Sequence, residues 1–337
     1  IPPLQSDYGA YSFMKHPYDA LTPDCVIDCI ESTGLISDLR LLALNSYENR
    51  VYQVGIENQA PVIAKFYREG RWSDDQILEE HAFSQELVDH EISFVAPLKI
   101  NDQTLHHAYG QRFSVFERRG GHPPELDNLD HLYRLGQTLG RIHRIGAASD
   151  FKYRRDISAE RMATASRHFV QDAFVPLELR TAYTTLAADC DSLASEILAS
   201  MGEGDKQRIH GDCHTGNILW RDDTAHFVDL DDCVMGPAIQ DVWMFLSGER
   251  HQQERQLSEF VEGYEEFHDF DTRQLGWIEA LRTLRIMHHA RWLAERWTDP
   301  AFPKAFPWFG QGRFWSDHIL ELREQLGAMN DEPLRLL

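Results

Sequence analysis

Two different spacings of apolar residues divide the chain. In its first third, short apolar runs bounded by polar turns are typical of strands. They predict strands near residues 39–44, 51–54, 61–67, 94–100 and 113–116. After the third run, residues 73–88 place Ile77, Phe83 and Leu87 at helical spacing, which predicts an amphipathic helix. The pattern therefore predicts a small lobe of antiparallel strands with one interposed helix.

The spacing changes after residues 120–124, a Gly-Gly-His-Pro-Pro segment that we expect to be the hinge. Beyond it, only residues 207–231 predict strands and loops. The rest predicts helices at 127–145, 158–170, 176–201, 255–267, 274–297 and 313–326. A β-rich lobe followed by a helical lobe is an α+β fold with two lobes. The expected organisation is an N-terminal arm (1–20), a β-rich N-lobe (21–119) and a helical C-lobe (120–337).

Composition and net charge indicate which classes of ligand the chain can bind. The 337 residues are 42% hydrophobic and 26% charged, which suits a globular protein with a substantial core. The 54 acidic residues outnumber the 33 Lys and Arg, and the formal charge of -21 disfavours nucleic-acid binding as a main function. Mg²⁺ can still bridge carboxylates to a nucleotide. No apolar run approaches a membrane span. Five cysteines without a C-x-x-C pair favour reduced thiols, which fits a cytoplasmic protein, and we expect a monomer.

The strongest chemical signal is the stretch His210-Gly211-Asp212-Cys213-His214-Thr215-Gly216-Asn217, followed by Val228-Asp229-Leu230-Asp231. Phosphoryl transfer needs a carboxylate beside the acceptor hydroxyl and oxygen ligands for Mg²⁺. This spacing is that of a protein-kinase catalytic loop and its metal aspartate. Asp212 is the expected catalytic base, Asn217 and Asp229 are the expected Mg²⁺ ligands, and Asp231 is a weaker candidate for a second metal. The alternative is a hairpin in which these residues only cap turns.

Neighbouring polar residues support the same interpretation. His210 is expected to be structural, and the role of His214 stays open. Asp241, after a proline turn, is expected to accept backbone N–H bonds from the catalytic loop. The alternative is an ordinary aspartate at a helix start.

A nucleotide site needs a lysine on the third strand and a glutamate on the following helix. Lys65, in Val-Ile-Ala-Lys-Phe, is the expected lysine, and Glu80 is its expected partner, with Glu79 as the alternative. A glycine-rich phosphate loop is absent. In its place Ser46 lies in a polar turn and can offer a hydroxyl to a phosphate of ATP. The alternatives are a lysine that extends to solvent and a plain hairpin tip.

These residues resemble the aminoglycoside-phosphotransferase and choline-kinase branch of the protein-kinase-like fold, and more closely its bacterial stress-response kinases. The matching stretches are 44–53, 62–67, 76–81, 210–220, 227–232, 236–237, 240–241, 299–304 and 306–308. The resemblance implies a cytoplasmic ATP-dependent kinase of Ser and Thr, including its own, that acts in stress responses. It also implies that Asp212 accepts the proton, Asn217 and Asp229 bind Mg²⁺, and Ser46 contacts ATP. The arm to about residue 15 has no match.

Two other functions remain open. The acidic chain would attract a polycation, so a kinase of a small hydroxylated metabolite or aminoglycoside is the runner-up. Against it, one predicted helix carries Arg282, Arg285 and Arg296 beside Glu279, although these arginines can equally form a solvated or salt-bridged face. A catalytically inactive binding module is the third possibility, disfavoured because every expected base and metal position is present.

Overall fold

The structure is a computed structural model that describes residues 17–337, and these residues group into two compact units. The first runs to Asp74 and includes Pro97–Arg118, whereas the second comprises Asp75–Ala96 and Arg119–Leu337. Each unit has its own hydrophobic core. The expected domain boundaries stay predictions. The two compact units differ from the expected lobes because Asp75–Ala96 belongs to the second unit.

The first unit is built on one five-stranded antiparallel sheet with strand order β1-β2-β3-β5-β4. Apolar residues on one side of the sheet, such as Val54, Ala64 and Val115, are fully buried. Helix α1 packs its apolar stripe into the same core, and the side chain of Thr22 caps it. The elements are α1 (Pro23–Glu31), β1 (Ser37–Ala43), β2 (Arg50–Ile56), β3 (Val62–Phe66), β4 (His106–Ala108) and β5 (Gln111–Glu117).

The strand predicted at 94–100 is wrong. This segment makes only single β-bridges, because it contains the boundary between the units and Pro97 has no backbone N–H to donate. The sheet instead gains β4, joined to β5 through Tyr109 and Gly110, both at positive φ. A two-residue turn with two positive φ values matches the twist of a hairpin, and β4 is too short to give a periodic signal.

The second unit is mainly helical, and two short antiparallel strand pairs hold the loops between them. Its strands are β6 (Gln207–Ile209), β7 (Ile218–Arg221), β8 (Thr224–Phe227) and β9 (Val234–Gly236), with β6 paired to β9 and β7 to β8. The helices after α1 are α2 (Asp74–Asp89), α3 (Leu129–Gly146), α4 (Ala165–Ala173), α5 (Leu177–Leu198), α6 (Ile239–Val242), α7 (Arg250–Tyr264), α8 (Ile278–Glu295), α9 (Ala301–Ala305) and α10 (Gly312–Ala328).

The α+β fold is confirmed, and most predicted helices lie within a few residues of the observed ones. Two of them change character: the helix predicted from residue 158 begins as the π-helix Glu160–Thr164, and α8 follows the 3₁₀ turn Thr272–Trp277. Most of the predicted arm lies outside the described residues, but Pro17–Ala20 forms a 3₁₀ turn. Across residues 17–337, no helix combines the length and apolarity that a membrane crossing requires.

Helices α3 and α7 pack closely against each other. A Cβ atom at Gly136 would lie 2.0 Å from the Phe260 carbonyl oxygen, so only glycine allows this approach. Leu132, Leu135 and Leu139 of α3 are completely buried beside it. This pair carries His143 and Tyr264, which contact each other, and His143 also contacts Asp241 on α6.

Candidate active site

The predicted catalytic loop leaves the end of β6 and returns into β7. His214 N donates to the Asp212 carbonyl oxygen at 3.0 Å, and Asn217 N donates to the His214 carbonyl oxygen at 2.9 Å. Gly211 turns the chain at a φ of +81°, and a Cβ there would lie 2.3 Å from the Asp232 carbonyl oxygen. The loop therefore has one tight, internally bonded conformation in which glycine is required at position 211.

Asp241 anchors the start of this loop. Its side chain has no exposed surface, and its two carboxylate oxygens accept from His210 N and Gly211 N, each at 2.8 Å. The expectation that Asp241 accepts backbone N–H bonds from the loop is thus confirmed. His210 is buried, and its Nε2 lies 2.9 Å from the Val228 carbonyl oxygen, so its expected structural role is also confirmed. Both contacts fix backbone, not reacting groups.

The loop presents Asp212 and Asn217 side by side. Asn217 Nδ2 donates to the Asp212 carbonyl oxygen at 2.9 Å and lies 3.5 Å from its Oδ2. His214 Nε2 is also 3.5 Å from Oδ2, whereas Arg285 Nη2 lies 2.6 Å from Oδ1. Burial acts to raise the pKa of Asp212, but the hydrogen bond from His214 and the charge of Arg285 outweigh it. The pKa of Asp212 is therefore lowered, and its carboxylate is ionised at neutral pH.

A group of carboxylates adjoins this loop. Ligand oxygens of Glu80, Asp229 and Asp231 all lie within 4.8 Å of one another, with Asp229 exposed and the other two buried. Asp229 has a φ of +63°. The preceding residue, Val228, donates its N–H to the Asn217 carbonyl oxygen at 3.0 Å, and this backbone bond brings Asn217 close to Asp229. Hard oxygen donors in this number suit Mg²⁺. The donor set therefore fits a divalent metal, and it includes Glu80, which the sequence reasoning had assigned to lysine pairing.

Arg154 is a partner of Glu80 that sequence reasoning missed. Its Nη2 lies 2.8 Å from Glu80 Oε2, its Nη1 donates to the Asp231 carbonyl oxygen at 2.6 Å, and its Nε donates to the Gln76 carbonyl oxygen at 2.8 Å. The neighbouring Glu79 accepts backbone N–H bonds from residues 152–154. Arg154 thus joins helix α2 to the segment that carries the metal-ligand candidates.

Two expected nucleotide-binding residues belong to the first unit. Lys65 lies on β3 and is 6% exposed, with Nζ 5.3 Å from the centre of the Tyr67 ring, so the alternative of a lysine extended to solvent is wrong. Ser46 Oγ donates to the Asn49 carbonyl oxygen at 3.0 Å, and Arg68 Nε donates to the Glu48 carbonyl oxygen at 2.9 Å. The turn is therefore ordered by its own contacts, and the roles of Ser46 and Lys65 in ATP binding stay predictions.

The arginines of α8 do not behave alike. Arg282 pairs with Glu279 on its own helix at 3.4 Å, as expected for a salt-bridged face. Arg285, by contrast, reaches the catalytic loop. The sequence offered only the helical spacing of these arginines, and this spacing does not tell which of them meets another element.

Comparisons with known proteins agree with this geometry. The sequence model of a family described as "Phosphotransferase enzyme family" matches residues 40–278. Stress response kinase A of Escherichia coli (strain K12) is 42% identical over 321 residues, which cover 95% of this chain and 97% of that protein. "Serine/threonine protein kinase RdoA" of Salmonella typhimurium is 41% identical over 320 residues, with the same shares covered.

Solved structures give the same fold. An amicoumacin kinase, in complex with AMP-PNP, Ca²⁺ and its ligand, superposes with a TM-score of 0.72 at 20% identity, over 92% of this chain and 94% of that one. A microcompartment-associated aminopropanol kinase gives a TM-score of 0.69 at 18% identity, over 93% and 100% of the two chains. At these identities the likeness concerns the fold alone.

Proposed function

Because the chain belongs to the phosphotransferase enzyme family and is an ATP-dependent phosphotransferase, we propose that it phosphorylates serine and threonine residues of proteins, including its own. The proposal places this activity in the cytoplasm, as part of a bacterial stress response. The names of relatives that are 41–42% identical along nearly the whole chain support the substrate class. The observation that carries the chemistry is the pairing of Asp212 and Asn217 on a loop held by Asp241.

Asp212 is the proposed base. Its carboxylate is ionised, partly exposed and held on a rigid loop, so it can accept a hydrogen bond from the acceptor hydroxyl. Phosphoryl transfer proceeds through a loose transition state, in which orientation of the nucleophile matters more than strong basicity. A carboxylate with a lowered pKa is therefore adequate for orienting the hydroxyl and receiving its proton late in the reaction.

Asn217 and Asp229 are the proposed Mg²⁺ ligands, and Glu80 and Asp231 supply further carboxylates close to Asp229. A bound Mg²⁺ would neutralise charge on the β- and γ-phosphates. Backbone pairing of Val228 with Asn217 holds the two ligand positions next to each other before any metal binds. Ser46, Lys65 and Glu80 are retained as nucleotide-binding residues, with the buried amine of Lys65 as a partner for phosphate oxygens.

Radiolabelled ATP tests this proposal directly. The chain is incubated with Mg²⁺ and labelled ATP, alone or with an acidic protein, a basic protein or a panel of aminoglycosides, and phosphosites are mapped. We expect label on Ser and Thr for the wild type and for the control Asp222→Asn, an exposed aspartate in the β7–β8 turn. Asp212→Asn should abolish it. Label confined to aminoglycosides, or near-native transfer by Asp212→Asn, would contradict the proposal.

A further inference from the structure

The ion pair between Arg285 and Asp212 links α8 to the proposed base. Arg285 Nη2 lies 2.6 Å from Asp212 Oδ1, and the side chains are 38% and 23% exposed. Among residues 17–337, no other carboxylate pairs with Arg285. The guanidinium therefore covers Oδ1, an oxygen with almost no accessible surface that accepts no hydrogen bond from the described residues.

This contact differs from those of the other arginines on the helix. Arg282 pairs with Glu279, and Arg291 pairs with Glu295 at 2.6 Å, so both are neutralised within α8. Such pairs support a helix surface and need no ligand. Arg285 instead has Asp212 of the catalytic loop as its counter-charge. A group that binds to the Asp212 carboxylate therefore competes with Arg285 for that carboxylate.

The two oxygens of Asp212 are not equally available to an acceptor. Oδ2 faces Asn217 and His214, each at 3.5 Å, and Asn217 is fixed by its bond to the Asp212 backbone. Oδ1 faces Arg285, whose long side chain is partly exposed and can rotate away. An incoming hydroxyl therefore gains a full hydrogen bond to Oδ1 most readily when another anion takes over the guanidinium.

We propose that Arg285 selects serine and threonine acceptors that carry a carboxylate side chain beside the hydroxyl. This inference rests on the proposed function and specifies its substrate class. The acceptor carboxylate binds the Arg285 guanidinium in a charge-assisted pair, and Asp212 Oδ1 becomes free to receive the hydroxyl. A cationic acceptor repels Arg285 and cannot replace Asp212 as its partner, so it leaves the base occupied.

The transfer step needs only ATP and the acceptor hydroxyl as reactants. The bond between the γ-phosphorus and the bridging oxygen of ATP breaks, and a new bond forms between that phosphorus and the acceptor oxygen. The hydroxyl proton passes to Asp212, and ADP leaves with the electron pair of the broken bond. Without an acidic acceptor, Arg285 keeps Asp212 occupied, so activation of water and wasteful ATP hydrolysis are suppressed.

Three peptides with one central serine, flanked by Glu, Gln or Lys, test this inference. We expect wild-type kcat/KM to fall in the order Glu, Gln, Lys, with at least about tenfold between the first two, as for a charge-assisted hydrogen bond. Arg285→Glu should reverse the order, and Arg285→Gln should flatten it and raise acceptor-free ATP hydrolysis several-fold. The matched control Arg282→Glu, one turn earlier on α8, should keep the wild-type order.

Several results would overturn the inference. If the wild-type enzyme prefers the Lys peptide, or does not discriminate among the three peptides, the inference is contradicted. This measurement needs no variant, so its result does not depend on whether a variant folds. Equal reversal by Arg282→Glu would indicate a general charge effect and would likewise overturn it. If the wild-type enzyme phosphorylates aminoglycosides and no serine peptide, the proposed function is refuted. The rates of acceptor-free ATP hydrolysis by wild type and Arg285→Gln then still decide whether Arg285 keeps Asp212 from activating water.

Discussion

His143 Nε2 lies 3.0 Å from Asp241 Oδ2, and neither side chain has any exposed surface. The other nitrogen of His143 lies 2.9 Å from the Tyr264 hydroxyl, so the α3–α7 pair reaches the catalytic loop through one carboxylate. That carboxylate accepts from His210 N and Gly211 N as well. The active-site loop is therefore attached to the closely packed α3–α7 pair of the second unit.

Asp241→Asn should destabilise the protein, because one acceptor oxygen becomes an NH₂ group that faces backbone donors. We expect the free energy of unfolding to fall by about 3 kcal/mol in urea denaturation, since a buried charged partner is lost. Phosphotransfer should fall on the order of 10²-fold through misplacement of Asp212. The exposed Asp127→Asn is the control and should change the stability by less than about 0.5 kcal/mol. Equal stability of the two variants would contradict the anchoring role.

The sequence predicted those parts of this site that local spacing determines. The spacing of Asp212 and Asn217, five positions apart, predicts that one loop carries both side chains, and in the structure Asn217 Nδ2 donates to the Asp212 carbonyl oxygen. The turn before α6 likewise indicated Asp241 as an acceptor for the loop. The α+β fold followed from the change in apolar spacing near residue 120, because strands and helices bury one face with different periods.

Contacts between distant segments could not be predicted in this way. Glu80 and Arg154 are 74 positions apart, and no periodicity relates them. Arg285 meets Asp212 because α8 packs beside the loop, which only the tertiary structure reveals. The same limit explains the false strand at 94–100, where apolar residues serve two different cores and do not pair along one sheet.

Gly211→Ala adds only one methyl group, but it should disrupt the conformation of the catalytic loop. The φ of +81° disfavours a Cβ, and the added carbon would lie 2.3 Å from the Asp232 carbonyl oxygen, so backbone must move. We expect a loss of at least about 2 kcal/mol in thermal or urea unfolding and a lower kcat. Gly327→Ala, in α10 with open space around its Cβ, is the control and should gain up to about 1 kcal/mol. Wild-type activity in Gly211→Ala would show that the loop tolerates another conformation.

Asp229→Asn should weaken Mg²⁺-dependent ATP binding, because a carboxylate ligand becomes a neutral amide. We expect calorimetry to show at least about a tenfold loss of affinity for Mg²⁺-ATP. In EDTA, wild type and variant should bind ATP equally weakly, and wild-type transfer should stop. Asp212→Asn and the control Asp222→Asn should both retain Mg²⁺-ATP affinity. An equal loss for Asp229→Asn in EDTA would mean that the residue acts on the nucleotide without a metal.

Arg154→Met tests whether the buried contact with Glu80 stabilises the segment that carries Asp231. Neither side chain is more than 3% exposed, and the substitution removes the charge together with three donated contacts. We expect the free energy of unfolding to fall by about 3–5 kcal/mol. Arg154→Lys should recover only part of this loss, because an ammonium cannot reproduce the planar geometry of the three contacts.

A double-mutant cycle separates the pair from its surroundings. In Glu80→Gln/Arg154→Met the buried charge is removed with its partner, so the combined loss should be smaller than the sum of the single losses by about 1–3 kcal/mol. The control Arg221→Met breaks an ion pair whose side chains are 60% and 84% exposed, and it should cost less than about 1 kcal/mol. Additive losses at positions 80 and 154 would show that the two residues stabilise the fold independently. The coupling should also appear in Mg²⁺-ATP affinity, because Glu80 lies beside Asp229 and Asp231 and its orientation depends on Arg154.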